Sequence, residues 1–206
     1  MWRAWIQTPI GKMLALDSGE GLCALEFVEP EKRHTRLEAR PSTVRQAHGR
    51  PELSRGTTGS GRLEVLERRL RRWFPPHRNA GGDTRTITRT RAWLDAYFAG
   101  ETANEDGLPL DMRGAAFEKR VWAFLRTIPP GATTSYGAIA KALGSAGASR
   151  AVGAANGANP IAIIVPCHRV IGAAGSLVGY GGVLDRKTWL LDHERRWRHD
   201  PQSALF

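Results

Sequence analysis

Residues 161–172 read IAIIVPCHRVIG. An apolar run, Ile161–Val165, stops at Pro166, and a cysteine and a histidine follow side by side. The run has the length and β-branched content of a short buried strand, so a strand is expected there. Adjacent side chains on a strand point to opposite faces. A direct pairing of Cys167 with His168 therefore requires the strand to end at Pro166 and the backbone to turn. A thiol becomes a nucleophile when its pKa falls or a base takes its proton. The alternative is that Cys167, like the only other cysteine, Cys23, is an inert core thiol.

Working downstream, His168 needs an acid to fix its tautomer and support its imidazolium form. The segment KTWLLDHE, residues 187–194, offers Glu194 or Asp192. Upstream, TTSYGAIAKALG (133–144) and SRAVGAANGAN (149–159) read as two short helices joined by a glycine-containing link. That is a helix-turn-helix pattern. The second helix is almost all Ala, Val and Gly apart from Arg150 and Asn156. Small side chains serve either tight helix packing or close approach to a nucleic-acid groove, and a single arginine suits insertion into such a groove. Before it, AAFEKRVWAFLRTIPPG (115–131) sets Phe117, Val121, Trp122 and Leu125 on one helical face, closed by Pro129-Pro130-Gly131.

The first half has a different texture. RAWIQTPIGKMLALDS (3–18) alternates loosely, and GLCALEFV (21–28) follows a polar turn, so two antiparallel strands are expected. Residues 39–62 are rich in Arg, Gly, Ser, Thr and Pro and offer little to bury, which reads as a disordered insertion. LEVLERRLRRWFPP (63–76) and TRTRAWLDAYFAG (88–100) read as amphipathic helices. The fold class is thus an α/β N-terminal domain with a small antiparallel sheet (1–99), a connector (100–114), and a mostly α C-terminal domain (115–206) carrying the helix-turn-helix and the active-site cysteine.

Composition sets limits. The 206-residue chain carries 30 Lys and Arg against 20 Asp and Glu, a formal charge of +10. Such an excess favours polyanions, nucleic acid first; a basic protein that is merely soluble is the other reading. No apolar segment approaches the roughly 20 residues that cross a bilayer, and the N-terminus lacks a signal-peptide pattern. A cytoplasmic protein without a membrane partner is expected. Two distant cysteines make no disulfide framework, and there is no CxxC or His-x-x-x-His.

Taken together, PCHRV, the upstream ANP, the downstream GYGG and LLDHE, and TPIGKMLALDSGEGLCALEF near the start resemble the O6-alkylguanine-DNA alkyltransferases, also called methylated-DNA–protein-cysteine methyltransferases. The resemblance runs over nearly the whole chain. It implies DNA repair by irreversible, single-turnover transfer of an alkyl group from O6 of guanine, and less well from O4 of thymine, to the protein's own cysteine. Cys167 matches the acceptor, His168 the residue that takes the thiol proton through a bound water, and Glu194 the acid that orients it. Asn159 matches the asparagine that holds the turn. Tyr136 matches the tyrosine that addresses the flipped guanine, and Val170, Tyr180 and Gly181 match the base pocket. Arg150 matches the arginine that fills the vacated stack; Ala151, Gly153 and Asn156 of the same helix are expected at the DNA. The implied partner is double-stranded DNA carrying O6-alkylguanine, met by a monomer with no cofactor. Some family members hold zinc in the N-terminal domain. Here Cys23, His34 and His48 do not reproduce that spacing, so no metal is expected. Two rivals stand beside this reading. A cysteine hydrolase would need an oxyanion hole and a water route, and a lesion sensor without transfer would lack the acceptor.

Overall fold

The computed structural model describes residues 1–27, 59–74, 80–101, 107–177 and 184–199. Most of the expected insertion lies outside the described residues. Its C-terminal limit moves, however, because helix α1 (Gly59–Trp73) already runs through residues 59–62.

Strand β1 (Trp2–Thr8) pairs antiparallel with β2 (Gly11–Asp17), which pairs antiparallel with β3 (Leu22–Phe27). The stretch 3–18, expected as one strand, is itself a hairpin. Pro9 and Ile10 form its tip, Gly11 takes a left-handed φ of 121°, and the Thr8 hydroxyl donates to the Gly11 carbonyl. A short β4 (Ala80–Gly81) adds parallel to β1, giving the order β3-β2-β1-β4.

Strand alternation gives the sheet two apolar faces. One packs Leu14, Leu16, Cys23 and Ala24 under Leu66, Leu70 and Phe74 of the α1 segment. The other packs Ile6, Met13, Ala15, Leu22 and Leu25 against Leu94 and Tyr97 of α2 (Arg85–Ala99) and onward against the C-terminal half. Helix α2 begins where the Thr84 hydroxyl accepts the Ile87 N–H at 3.1 Å and ends at Gly100, φ 86°.

The two halves share that second core. Val121, Trp122 and Leu125 of α3 (Ala116–Leu125), Ile161 and Leu190 belong to one cluster with the sheet residues. The connector is part of the join. Leu22 donates to the Pro109 carbonyl at 2.8 Å, and Asp111 donates back to Leu22 at 2.9 Å. Farther along β3, Leu25 donates to Pro160 at 2.9 Å and Ala162 donates to Leu25 at 2.8 Å. The outer edge of β3 is thereby covered rather than left open. A Cβ on Gly21 would lie 2.6 Å from the Pro109 carbonyl oxygen, so this approach requires glycine.

Helices α4 (Tyr136–Ala142) and α5 (Ser149–Gly157) form the helix-turn-helix, and α6 (Leu184–His199) closes the described structure. The architecture is the expected one: a small antiparallel sheet with helices, then a mostly helical part. Among the described residues no helix is long and apolar enough to cross a membrane.

Candidate active site and nucleic-acid interface

The segment leading to the cysteine departs from its expected form. Residues 161–165 make one isolated bridge, Leu25 to Ile161, and then turn, so there is no strand. The cause is Asn159. Its Nδ2 donates to the carbonyls of Val165 (2.7 Å) and Ile161 (3.3 Å), and its Oδ1 accepts the Ile161 N–H at 3.0 Å. This loop puts Ile163 at φ 72°, a conformation that costs a β-branched residue about 1–3 kcal/mol and needs the surrounding contacts to hold it.

After Pro166 the chain makes a 3-10 turn, Cys167–Arg169. The turn removes the strand alternation that would have separated Cys167 from His168. It leads into β6 (Val170–Ile171), which pairs in parallel with β5 (Thr134–Ser135). That two-residue ladder fastens the start of α4 to the cysteine loop. Tyr136, the first residue of α4, therefore sits half-buried and close enough to feel the charge of Cys167; burial, then that charge, push its hydroxyl pKa up. Val170 is fully buried beneath them.

His168 and Glu194 are also fully buried, with Nε2 of the histidine 2.7 Å from Oε1 of the glutamate. Nε2 is the donor, since an ionised carboxylate only accepts. Nδ1 is left without a hydrogen-bond partner among the described residues. Asp192, the other acid considered, turns away and pairs with Arg195 at 2.9 Å. Burial pushes the Cys167 thiol up; a hydrogen bond from Asn159 and the charge of Lys187 oppose it. Burial likewise pushes the His168 imidazole below its ordinary value, against the pull of Glu194. For Glu194, burial alone would raise the carboxyl, but His168 and Arg169 outweigh it and hold it well below the usual carboxylate range. Lys187, pushed down to about 8 by burial, donates from Nζ to the Val170 carbonyl.

On α5, Arg150 and Ala151 are exposed, and Arg150 makes no ion pair or hydrogen bond among the described residues. Gly153 is half-buried beside the Tyr136 ring. Asn156 corrects the expectation of a DNA contact. It is buried on the inner face of α5, and its Nδ2 reaches the Cys167 carbonyl at 3.4 Å, so it supports the loop instead. The exposed face of α5 is Arg150, Ala151, Ala154 and Gly157. Tyr180 and Gly181 lie outside the described residues.

Three site residues went unread in the sequence: Arg169, Tyr97 and Lys187. Arg169 reaches Glu194 with Nε (3.0 Å to Oε2) and Nη2 (2.8 Å to Oε1), and Tyr97 donates its hydroxyl to Oε1 at 2.8 Å. A signal for Arg169 was present, since an arginine inside an apolar stretch needs a buried acid. Lys187 and Glu194 stand seven residues apart, two turns on one helix face, with Leu190 and Leu191 between them on that buried face. Nothing in the sequence pattern marks Tyr97 apart from its neighbours. Among the described residues no group of three or more His, Cys, Asp or Glu is arranged to hold a metal; His34 and His48 are outside them.

Comparison with known proteins places this geometry. The family described as 6-O-methylguanine DNA methyltransferase, DNA binding domain, matches residues 116–196. A methylated-DNA–protein-cysteine methyltransferase of Mycolicibacterium paratuberculosis is 63% identical over 110 residues, 53% of this chain and 65% of that protein. One of Mycobacterium bovis is 62% identical over 102 residues, 50% of this chain and 61% of that protein. These matches thus span somewhat under two thirds of the curated relatives. Among solved structures, Mycobacterium tuberculosis OGT in complex with DNA superposes with a TM-score of 0.68 at 36% identity, covering 96% of this chain and 94% of that one.

Proposed function

The chain belongs to the methylated-DNA–protein-cysteine methyltransferase family, and from that premise we propose that it repairs DNA by moving an alkyl group from O6 of guanine irreversibly onto Cys167. One observation carries the reading: the buried set of Cys167, His168 and Glu194 is fastened to the start of a helix-turn-helix whose second helix, α5, has an outer face that is small except for one arginine, unpaired among the described residues.

A guanine inside a duplex hides O6 from any protein pocket, so the base must be extruded. The smooth face of α5 permits close approach to the groove, and Arg150 fills the gap in the stack. In the pocket, the Cys167 proton passes through a water to His168 Nδ1. The sulfur lone pair attacks the alkyl carbon as the bond from carbon to O6 breaks. The electron pair leaves with guanine, where the Tyr136 hydroxyl donates to the ring nitrogen that gathers charge. Val170 supports the base pocket. The product is a thioether that water does not cleave, so each molecule acts once. This reading makes the protein a cytoplasmic monomer acting without metal or cofactor; free, buried thiols support a reducing compartment.

Intact mass after mixing with an O6-methylguanine duplex tests it. One added methylene equivalent on the peptide holding Cys167, with product stopping at about one per protein, is the expected result. Repeated turnover would favour a cysteine hydrolase, and binding without a mass gain would favour a lesion sensor.

A further inference from the structure

Glu194 accepts more hydrogen bonds than the orientation of one histidine requires. Oε1 takes His168 Nε2 at 2.7 Å, the Tyr97 hydroxyl at 2.8 Å and Arg169 Nη2 at 2.8 Å; Oε2 takes Arg169 Nε and the Gly131 N–H, each at 3.0 Å. The donors come from α2, the loop after α3, and the cysteine turn itself. They are held in turn. Arg169 Nη1 donates to the Ile128 carbonyl, and the Tyr97 ring is stacked on Trp93 (5.4 Å) with Phe98 and Trp197 at its edges (5.3 and 5.1 Å).

We propose that Arg169 and Tyr97 are positioning residues for the transfer: they hold Glu194 as a charge-neutralised anion, which keeps His168 a neutral imidazole with Nδ1 open to accept the Cys167 proton. The proposal rests on the reading of Cys167 as the alkyl acceptor.

A buried carboxylate with only an imidazole beside it would draw a proton onto that ring. Both ring nitrogens would then be donors, and none would be left to receive the thiol proton. The two-point fork of Arg169 changes this. The Arg169–Glu194 pair is neutral as a unit and bidentate, so the carboxylate stays ionised whatever His168 does. The charged and titratable groups facing His168 are Glu194 from α6, which favours a proton on the ring, and Arg169 from the turn with Lys187 from α6, which disfavour it; burial works with the latter two. The Tyr97 phenol is neutral and acts on Oε1, drawing charge away from the atom that His168 touches. The proton balance is then simple. The proton leaves sulfur for Nδ1, the imidazolium forms only as the carbon–O6 bond breaks, and Glu194 is already in place to support it.

The test is the pH dependence of single-turnover transfer from an O6-methylguanine duplex, run beside iodoacetamide modification of Cys167 read by mass. Tyr97→Phe, Arg169→Lys and Arg169→Gln are compared with the parent. Loss of the neutralising charge moves the acid limb of both profiles to higher pH: by about one unit or more for Arg169→Gln, and by less for Tyr97→Phe. Arg169→Lys returns the limb close to the parent's position while the rate stays below it, because lysine keeps the charge but loses the fork. A limb that stays in place in Tyr97→Phe and Arg169→Gln, with rate falling only as folded protein falls, overturns the proposal. If Arg169→Gln does not fold, Tyr97→Phe alone decides by the same criterion. Failure of the underlying function shows differently: the parent would transfer nothing from DNA, while the iodoacetamide profiles would still report on the relay.

Discussion

Cys23 and Cys167 are both buried, and burial pushes both thiols up, yet their polar neighbours differ. Cys23 sits on β3 facing α1, in an apolar cluster with Leu14, Leu16, Leu66 and Leu70. Its Sγ donates to the Leu16 carbonyl at 3.3 Å, and Asp111 and Asp17 add to burial, so the thiol is pushed up to about 12. Cys167 is met by the opposite company. Asn159 and Lys187 favour its thiolate, and the proposed transfer sends its proton to His168, which Glu194 holds. Burial by itself makes a thiol inert. What is buried with it decides whether it becomes a nucleophile.

The largest effect that can break this comparison is loss of the acceptor. Cys167→Ala is expected to abolish transfer while duplex binding persists, because the outer faces of α4 and α5 are untouched. Cys23→Ala is expected to transfer as the parent does. Peptide mass mapping after reaction reads both, and an alkyl group found on Cys23 would reverse the assignment.

Next comes the relay. Glu194→Gln leaves Arg169 buried without its anion, a change that costs about 3–5 kcal/mol in comparable pairs, and thermal melting should show it. The amide also weakens support for the imidazolium. Transfer is expected to fall by about 10²-fold or more, the usual weight of a positioned base. A variant that melts early yet transfers at the parent's rate at low temperature would leave Glu194 a purely structural role.

The two regions also differ in how far the sequence revealed them. The core of the sheet was legible because alternation and helical spacing are local patterns: Val121, Trp122 and Leu125 are buried together as the spacing required. The hairpin at Thr8–Gly11 was missed because the residues on both sides of Pro9-Ile10 keep the same alternation through the turn. At the site, the expected pairing of His168 with Glu194, 26 residues on, is the contact the structure contains. Asn156 was misread because composition places it on α5 but does not say which face it takes. Arg169 and Tyr97 act through Glu194, 25 and 97 residues away along the chain, and no local period encodes such a contact. The strand expected at Ile161–Val165 failed for a similar reason. Apolar runs favour strands, but the three hydrogen bonds of Asn159 override that preference.

A smaller effect separates the site from its access to DNA. Arg150 stands exposed on α5, whose inner face carries Asn156 to the Cys167 carbonyl. Arg150→Ala is expected to slow repair in duplex DNA by roughly ten- to a thousandfold, the range set by an unstacking cost of a few kcal/mol. Reaction with free O6-benzylguanine should hardly change, since there is no stack to leave. Tyr136→Phe should slow both substrates, because its hydroxyl addresses the base. Equal slowing of free base and duplex by Arg150→Ala would remove the base-extrusion role.

The smallest effect lies in alkaline stability, where Cys23 and Lys187 pull in opposite directions. An unfolded cysteine loses its proton near pH 9, whereas folded Cys23 keeps its proton until about 12. Between those values the unfolded state binds fewer protons, so the contribution of Cys23 is fully present below pH 9 and is lost as pH rises toward 12. Lys187 has the reverse sign. Its ammonium titrates at about 8 in the fold against an ordinary 10.5, so across that window the unfolded state binds more protons and stability rises with pH. Urea midpoints at pH 8 and pH 10.5 read the balance. At pH 10.5 the Cys23 contribution lost is at most about 2 kcal/mol, from one and a half pH units at about 1.4 kcal/mol each. Cys23→Ala lowers stability at both pH values by leaving a small cavity, but its fall between them should be smaller than the parent's. Lys187→Met should change the slope the other way, with a steeper alkaline fall. An identical fall in the parent and in Cys23→Ala would mean that the Cys23 thiol titrates alike in the folded and unfolded chain, and the contrast between the two cysteines would then rest on their neighbours alone.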